Sequence, residues 1–295
     1  MNIYTNTQSA ASPALDLKNT KPIAERLTED DRQEALDFLS RRPVNTVILA
    51  GWIHDHGIVS PQHRGAFYGY RDENGELAGV AMIGKNLLFE ASSDDAITAF
   101  AKCARECPDV RMLFAQEEEL VKFWPHFRSE TPMPTVSHHR LISSGGAIDE
   151  DVENVNELCV ATRDELDQIV SAHAEMVHTE TGIDPLEVDA DGFRTRCSQR
   201  VDRGRVWVWM RGQELIFKTD IMSVTPEAIY MEGLWVNPKE RGKRYSTRCM
   251  ATLSRQLGSG SQVVSAFVDA DHVLFGSLYR KAGFVEVDEY AKIYL

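Results

Sequence analysis

Apolar residues near the start of the chain recur at the spacing of amphipathic helices. Thr28 and Asp31 match a capping box, and the apolar positions that follow keep helical intervals until Pro43. A second run of helical spacing covers 45–57 and ends at Gly57. Two successive helices are therefore predicted here.

The pattern then changes to that of strands. Apolar runs over 66–70 and 77–83 flank Asn74-Gly75, a dipeptide typical of tight hairpin turns. The spacing further along predicts a strand over 87–89, a helix over 94–107, a strand over 111–115 and a helix over 118–127. The first half is expected to have a mixed α+β fold.

Small and acidic residues separate the two halves of the chain. The stretches 143–146 and 149–153 contain few apolar side chains, which is typical of an exposed connection. Beyond them, the pattern predicts the order strand, helix, helix, three strands, helix, strand, helix, strand. We therefore divide the chain into a flexible tail (1–20), an N-terminal domain (21–142), a linker (143–156) and a C-terminal domain (157–295).

The charge balance limits the classes of partner. With 32 basic and 45 acidic side chains the formal net charge is −13, which argues against nucleic acid or an anionic membrane as the main partner. The sequence shows neither a signal-peptide pattern at its start nor an apolar segment long enough to span a membrane. Five scattered cysteines are not a disulfide framework. We expect a soluble cytoplasmic protein.

One segment reverses the acidic balance. The turn after a predicted strand, together with the helix that follows, carries Lys239, Arg241, Lys243, Arg244 and Arg248. Unpaired amides and the positive dipole end at a helix N-terminus favour an anion such as phosphate. The alternative is a charged helix start exposed to solvent, since most charge runs are surface features.

Two motifs follow one another in an order found in a known superfamily. The first is Arg241-Gly242-Lys243-Arg244-Tyr245-Ser246, and the second is Tyr279 followed by Gly283-Phe284. They resemble the pyrophosphate-binding motif and the last helix of GNAT N-acetyltransferases. The segments 180–185, 217–218 and 233–236 resemble a bacterial subgroup of tandem GNAT proteins, and the segments 42–45, 74–79 and 84–87 resemble the N-terminal partner domain of that subgroup.

The resemblance implies an α+β protein with a C-terminal GNAT fold and a degenerate GNAT-like N-terminal domain. It implies direct transfer of an acetyl group from acetyl-CoA to an amine in a ternary complex. It places the coenzyme against Leu234, Trp235, Val236, Arg241, Gly242, Lys243, Arg244, Tyr245 and Ser246. The acceptor is expected to be a small-molecule or peptide amine, and the protein a monomer or weak dimer.

The resemblance also implies roles for single side chains. Glu232 is the candidate general base, with Tyr230 as its substitute, and Tyr279 is the candidate acid that protonates the leaving thiolate. A free backbone amide near Leu234 or Trp235 is expected to meet the thioester oxygen. The structural alternatives are a solvent-facing strand carboxylate for Glu232 and a core tyrosine for Tyr279.

Two positions depart from the motifs. Arg244 stands where a glycine normally lets the backbone approach the pyrophosphate, and His272 stands where asparagine is usual. Arg244 either contacts phosphate itself or crowds the site. Two other functions therefore stay open, a non-catalytic acyl-CoA sensor or scaffold and a transferase of longer acyl groups.

The remaining reactive side chains favour simpler interpretations. Cys249 allows an acyl-cysteine route, but a buried structural thiol is the commoner case. Cys103 and Cys107 have no histidine or cysteine pair at ligand spacing beside them, so no metal is predicted. His173 lies on an apolar helix face, where a hydrogen-bonded core histidine is expected.

Overall fold

The computed structural model describes residues 23–258, 262–271 and 273–295. The predicted tail and His272 lie outside these residues. No helix in the described part of the chain combines the length and the apolar character needed to cross a bilayer.

The first half contains the predicted helices, hairpin and strand–helix pairs. The backbone N–H of Thr28 donates to the Asp31 carboxylate over 2.8 Å, which confirms the capping box. Gly75 occupies the hairpin turn with a φ of +81°. The elements are β1 (Ala24–Arg26), α1 (Arg32–Leu39), α2 (Val47–His56), β2 (Gly65–Arg71), β3 (Leu77–Gly84), β4 (Asn86–Ala91), α3 (Asp94–Arg105), β5 (Met112–Gln116), α4 (Glu117–Phe127) and β6 (Ser137–Ser144).

The second half follows the predicted order of strands and helices. The elements are β7 (Leu158–Val160), α5 (Leu166–Thr181), α6 (Pro185–Asp202), β8 (Val206–Arg211), β9 (Glu214–Val224), β10 (Ala228–Val236), α7 (Tyr245–Leu257), β11 (Val263–Asp269), α8 (Val273–Lys281) and β12 (Phe284–Tyr294). Gly182, with a φ of +72°, ends α5. Helix α6 is irregular at Asp189, which has non-helical backbone angles.

The strands of both halves form one sheet. Among the described residues its order is β1-β2-β3-β4-β5-β12-β6-β11-β10-β9-β8-β7. Strand β6 of the first half pairs with β11 and β12, and β12 of the second half pairs with β5 and β6. Each half therefore gives its last strand to the sheet of the other.

Alternate side chains of the strands pack on opposite faces of this sheet. In β3, Ala81 packs with α3 and α4, whereas Val80 packs with α1 and α2. In β11, Ala266 packs with α7 and α8, whereas Phe267 contacts the cluster around α2. Two helical layers thus cover the sheet.

Helix α2 joins the halves a second time, because it lies against β9 and β10. Val47 packs with Tyr230, and the Asp55 carboxylate accepts two hydrogen bonds of 2.6 Å each from the Arg205 guanidinium. A bidentate pair of this kind fixes direction as well as distance. The halves share a packed interface in addition to the sheet.

The connection between the halves differs from the exposed linker that was predicted. Strand β6 extends to Ser144 and so overlaps the start of 143–156. Val152 and Val155 are buried, and the Val155 N–H donates to the Thr252 hydroxyl over 3.0 Å. Strand β6 was not predicted, because its sequence is largely polar and shows no alternation of apolar residues. Its last four residues are buried by neighbouring strands that lie far away along the chain.

Candidate functional site

Strands β10 and β11 separate part of the way along the sheet. Their parallel pairing runs from Ala228–Val263 to Met231–Ala266 and ends there, although β10 continues to Val236. The separation opens a gap beside the second half of β10.

A bulge in β10 coincides with this gap. In the pairing of β10 with β9, Glu232 lies opposite Asp220 and the next paired residue, Trp235, lies opposite Lys218. Gly233 and Leu234 therefore form a bulge without paired partners in β9. Gly233 has a φ of +68°, in the left-handed region that favours glycine. The bulge therefore turns the β10 backbone at the mouth of the gap.

The turn between β10 and α7 has the backbone of an anion site. Gly242 has a φ of +81°, and Arg244, the residue before α7, has a φ of +61°. These conformations turn the chain sharply into α7, whose first amides have no partner within the helix. Arg241 is held beside the turn by a hydrogen bond of 3.2 Å from its Nε to the Val236 carbonyl.

Carboxylates from the connection between the halves lie beside this turn. Asp151 pairs with Arg244 at 2.9 Å, and Glu153 pairs with Arg248 at 3.3 Å. The hydrogen bond from Arg244 lowers the pKa of Asp151, so the pair is charged at neutral pH. Because Arg244 and both carboxylates are exposed, and Arg248 is partly exposed, such pairs are weak and screened by salt.

A cleft of about 500 Å³ lies between the turn and α5. It is lined by nearly all the residues implied to bind the coenzyme, namely Leu234, Trp235, Val236, Arg241, Gly242, Arg244, Tyr245 and Ser246. Lys243 does not line this cleft, and its ammonium group pairs with Glu240 at 2.9 Å. We call this space the turn cleft.

A second cleft of about 610 Å³ reaches the gap between β10 and β11. It shares Leu234 and part of α5 with the turn cleft, so the two spaces meet at the bulge. Glu232 and Tyr279 both line it. The structure thus places the two candidate catalytic side chains in the same cleft, which we call the gap cleft.

Glu232 is exposed toward the gap cleft, although many protein atoms lie near its carboxyl group. The reduced solvation at this position raises the pKa of the carboxyl group, and the nearby Asp220 adds to the rise. The Tyr230 hydroxyl donates to Glu232 Oε2 over 3.1 Å and opposes the rise, because it stabilises the charged form. A carboxylate with a raised pKa at a cleft is suited to accepting a proton.

Tyr279 reaches the gap cleft from α8, on the other face of the sheet. Its side chain is buried, and its ring packs edge-on against Phe284 with 5.4 Å between centroids. Burial raises the pKa of the phenol, so the group keeps its proton at neutral pH. Tyr279 is thus both a buried tyrosine and a residue of the gap cleft, so the core role and the proton-donor role do not exclude each other.

Sequence reasoning missed the wall that strand exchange adds to the gap cleft. Ser137 and His139 of β6, with Lys292 of β12, line this wall. Burial, and secondarily the charge of Lys292, lowers the pKa of His139 to about 4. Periodicity within β6 carries no information about the strands it joins, so the sequence held no signal for this wall.

Sequence reasoning also missed a buried charged group behind Glu232. The Lys218 ammonium donates to Asp220 over 3.1 Å, and Arg200 and His173 lie 3.7 and 3.9 Å from the same carboxylate oxygen. Burial, together with the nearby cations, lowers the pKa of His173 to about 4. His173 is therefore a neutral histidine in a polar cluster, but its buried Nδ1 has no hydrogen-bond partner among the described residues, so the predicted hydrogen bond is not present at this nitrogen.

The corresponding gap in the first half is closed. Strands β4 and β5 also separate after a short parallel pairing, which ends at Leu88–Phe114. The cavity there measures only about 10 Å³. Nearby, the Glu90 carboxylate forms an ion pair of 2.8 Å with Arg42. Helix α3 begins with acidic side chains, whereas the corresponding helix of the second half, α7, is preceded by basic ones. The first half thus differs from the second both in its closed gap and in the charge at the start of the corresponding helix.

The cysteines and metal-capable residues offer no competing centre within the described part of the chain. Cys249 is fully buried and burial raises its pKa, which disfavours a thiolate. Cys103 and Cys107 are half-buried free thiols. No three His, Cys, Asp or Glu side chains of these residues are arranged to hold a metal ion.

Comparisons with known proteins bear on the fold. A GNAT-family acetyltransferase of Colwellia psychrerythraea superposes with a TM-score of 0.58 at 12% identity, over 92% of this chain and 99% of its own. A tandem GNAT protein from the clavulanic acid biosynthesis pathway gives 0.58 at 13% identity, over 92% and 98%. A Drosophila protein gives 0.62 at 13% identity, over 93% and 99%.

No protein-family model and no curated protein sequence matches this chain. The structural matches extend over nearly the whole chain, and at such low identities they establish the fold. The chain has a tandem GNAT fold, as the sequence motifs indicated.

Proposed function

We propose that this protein is an N-acyltransferase that moves an acetyl group from acetyl-CoA to an amine. The observation that carries the proposal is the meeting of the turn cleft and the gap cleft at the β10 bulge. One cleft offers an anion-binding turn, and the other offers Glu232 and Tyr279. Two substrates that enter by separate clefts meet at this point, as direct transfer in a ternary complex requires.

The turn cleft fits a coenzyme A in charge and in shape. Gly242 and the first amides of α7 are suited to the pyrophosphate, and the β10 segment from Leu234 to Val236 offers an extended edge for the pantetheine arm. Arg241 is the cation best placed for phosphate. Its side chain is 60% exposed, and the nearest carboxylate, that of Glu175, lies 3.7 Å away.

The residues of the gap cleft supply the proton transfers. Glu232 accepts one proton from the acceptor ammonium, directly or through a water molecule, which offsets the roughly 4 to 5 kcal/mol needed to neutralise an ordinary amine at pH 7. The amine nitrogen then forms a bond to the thioester carbon, and the carbon–sulfur bond breaks. Tyr279 gives its phenolic proton to the departing sulfur and is restored by the second proton that the nitrogen loses.

The first half contributes to the acceptor side in this proposal. Its own gap is closed, but Ser137 and His139 of its exchanged strand line the gap cleft. A single GNAT unit without this strand would lack that wall. We therefore assign the first half a role in shaping the acceptor site, and the coenzyme to the second half alone.

A coenzyme-binding sensor is the second candidate function. Asp151 and Glu153 pair with Arg244 and Arg248, so carboxylates already compete for two cations near the turn. Such competition suits reversible binding without turnover. Binding of acetyl-CoA without release of free thiol, across a broad panel of amines, distinguishes the sensor from the enzyme.

Calorimetric titration with acetyl-CoA tests the proposal. We expect micromolar binding to the wild type and roughly tenfold weaker binding to Arg241→Ala, because charge-assisted hydrogen bonds to phosphate are lost. Arg163→Ala is the matched control, since Arg163 is exposed and paired with Asp202 away from both clefts. Titration with longer acyl-CoA donors then decides the acyl chain length, and the absence of any binding to the wild type contradicts the proposal.

A further inference from the structure

The β10 bulge leaves two backbone carbonyls in need of partners, and side chains of β9 provide them. The Thr219 hydroxyl donates to the Glu232 carbonyl over 3.0 Å, and the Lys218 ammonium donates to the Gly233 carbonyl over 3.3 Å. Buried carbonyl groups are nearly always paired, and here side chains replace the ladder bonds that the bulge removes.

Lys218 is an unusual residue for this position. Its side chain is 0% exposed, and burial of an ammonium group is costly unless a partner compensates its charge. Asp220, 1% exposed and 3.1 Å away, is that partner. A lysine kept in the core by a carboxylate beside it, with its ammonium directed at one carbonyl, indicates a local function for that contact.

The geometry of the peptide group shows what the contact does. The carbonyl of Gly233 and the N–H of Leu234 belong to one planar trans peptide unit, so they point in opposite directions. Lys218 holds the Gly233 oxygen toward β9. The Leu234 N–H therefore points away from β9, toward the side on which the gap lies.

Gly233 leaves the space that this arrangement needs. A Cβ atom at this position would lie 3.1 Å from Asp220 Oδ2 and 3.4 Å from Lys218 Nζ. The positive φ of Gly233 also favours glycine. The bulge, the glycine and the ion pair form one local structure.

We propose that Lys218 is a positioning residue that directs the Leu234 amide at the thioester oxygen, and that Asp220 holds its ammonium group in place. This inference rests on the proposed acetyl transfer, and what it adds is the pair of β9 side chains that orients the amide. The Lys218 charge also polarises the shared peptide unit, which strengthens the Leu234 N–H as a donor.

The test replaces Lys218 by methionine, alone and together with Asp220→Asn, so that no buried carboxylate is left without its partner in the double variant. We expect kcat to fall about 10- to 100-fold in both, less than the roughly 10²- to 10³-fold loss known for removal of an oxyanion donor, because the Leu234 amide is still present but is no longer held in direction. The Kd for acetyl-CoA is expected to change less than about threefold. Arg205→Met is the control, since it removes a cation from Asp55 at the interface of the halves.

Infrared spectroscopy of bound acetyl-CoA labelled with ¹³C at the thioester carbonyl gives the second measurement. The wild type is expected to lower the carbonyl stretch relative to free acetyl-CoA, and the Lys218 variants to return it toward the free value. A folded double variant with unchanged kcat and unchanged stretch overturns the inference. A wild type that does not bind acetyl-CoA, or binds it without transfer to any amine, contradicts the proposed function instead.

Discussion

The Tyr230 hydroxyl donates a hydrogen bond of 3.1 Å to the Glu232 carboxylate, and both side chains line the gap cleft from the same face of β10. The bond favours the charged carboxylate, whereas burial favours the neutral acid. The pKa of the proposed base therefore depends on the balance of these two effects.

Glu232→Gln is expected to lower kcat/KM about 10²- to 10⁴-fold at neutral pH, the usual contribution of a general base. Binding of acetyl-CoA should be unchanged, because Glu232 lies in the gap cleft and not at the phosphate turn. Steady-state kinetics together with calorimetry measure both quantities. An equal loss of binding would indicate a structural role for the carboxylate.

Tyr230→Phe is expected to move the acidic limb of the pH–rate profile to higher pH. The lost hydrogen bond lowers the pKa of Glu232 in the wild type, so the carboxyl of the variant needs a higher pH to ionise. The profile of kcat/KM from pH 5 to pH 9 gives the shift. A limb that moves to lower pH contradicts the assignment of Glu232 as the base.

Tyr279→Phe is expected to lower kcat by about 10²- to 10³-fold, because the departing thiolate loses its proton donor. The loss should shrink when the acetyl donor carries a more acidic thiol, which needs no protonation to leave. Kinetics with acetyl-CoA and with an acetyl thioester of an aromatic thiol make the comparison. Equal losses with both donors would show that Tyr279 serves the fold alone.

Arg244→Gly and Arg244→Ala separate the backbone from the side chain at the turn. Both lose the exposed ion pair with Asp151, but only glycine adopts the φ of +61° without strain. The glycine variant is therefore expected to have a free energy of unfolding about 1 kcal/mol above that of the alanine variant. Denaturant unfolding measures the difference, and equal stabilities contradict a strained turn.

His173 predicts a loss of stability in acid. Its pKa is lowered to about 4 in the folded protein, whereas the unfolded chain has the ordinary value of about 6.5. Between these values the unfolded state binds more protons, so the free energy of unfolding falls as the pH drops from 6.5 to 4. His173→Gln should reduce this fall, as thermal unfolding at pH 7 and pH 4.5 can show. An unchanged pH dependence in the variant contradicts the assignment.

Much of the candidate site could be predicted because its signals are local in sequence. Hydrophobic spacing predicted the helices and most strands of both halves, although not β1 and β6, and the cations from Arg241 to Arg248 marked the turn before α7. Glu232 and Tyr279 were found through motif order, and the structure places both at one cleft. Their chemical roles stay predictions.

The sequence by itself determined the order of the elements, the basic turn in an acidic chain and the resemblance to tandem GNAT proteins. Only the tertiary structure decided which strands β6 and β12 join, which carbonyl Lys218 reaches and which acids neutralise Arg244 and Arg248. The physical reason is the distance along the chain over which each interaction acts. Periodicity and capping depend on residues a few positions apart and therefore leave a pattern in the sequence. Strand partners and buried charge pairs join residues that are far apart in the sequence, and such pairs leave no local pattern.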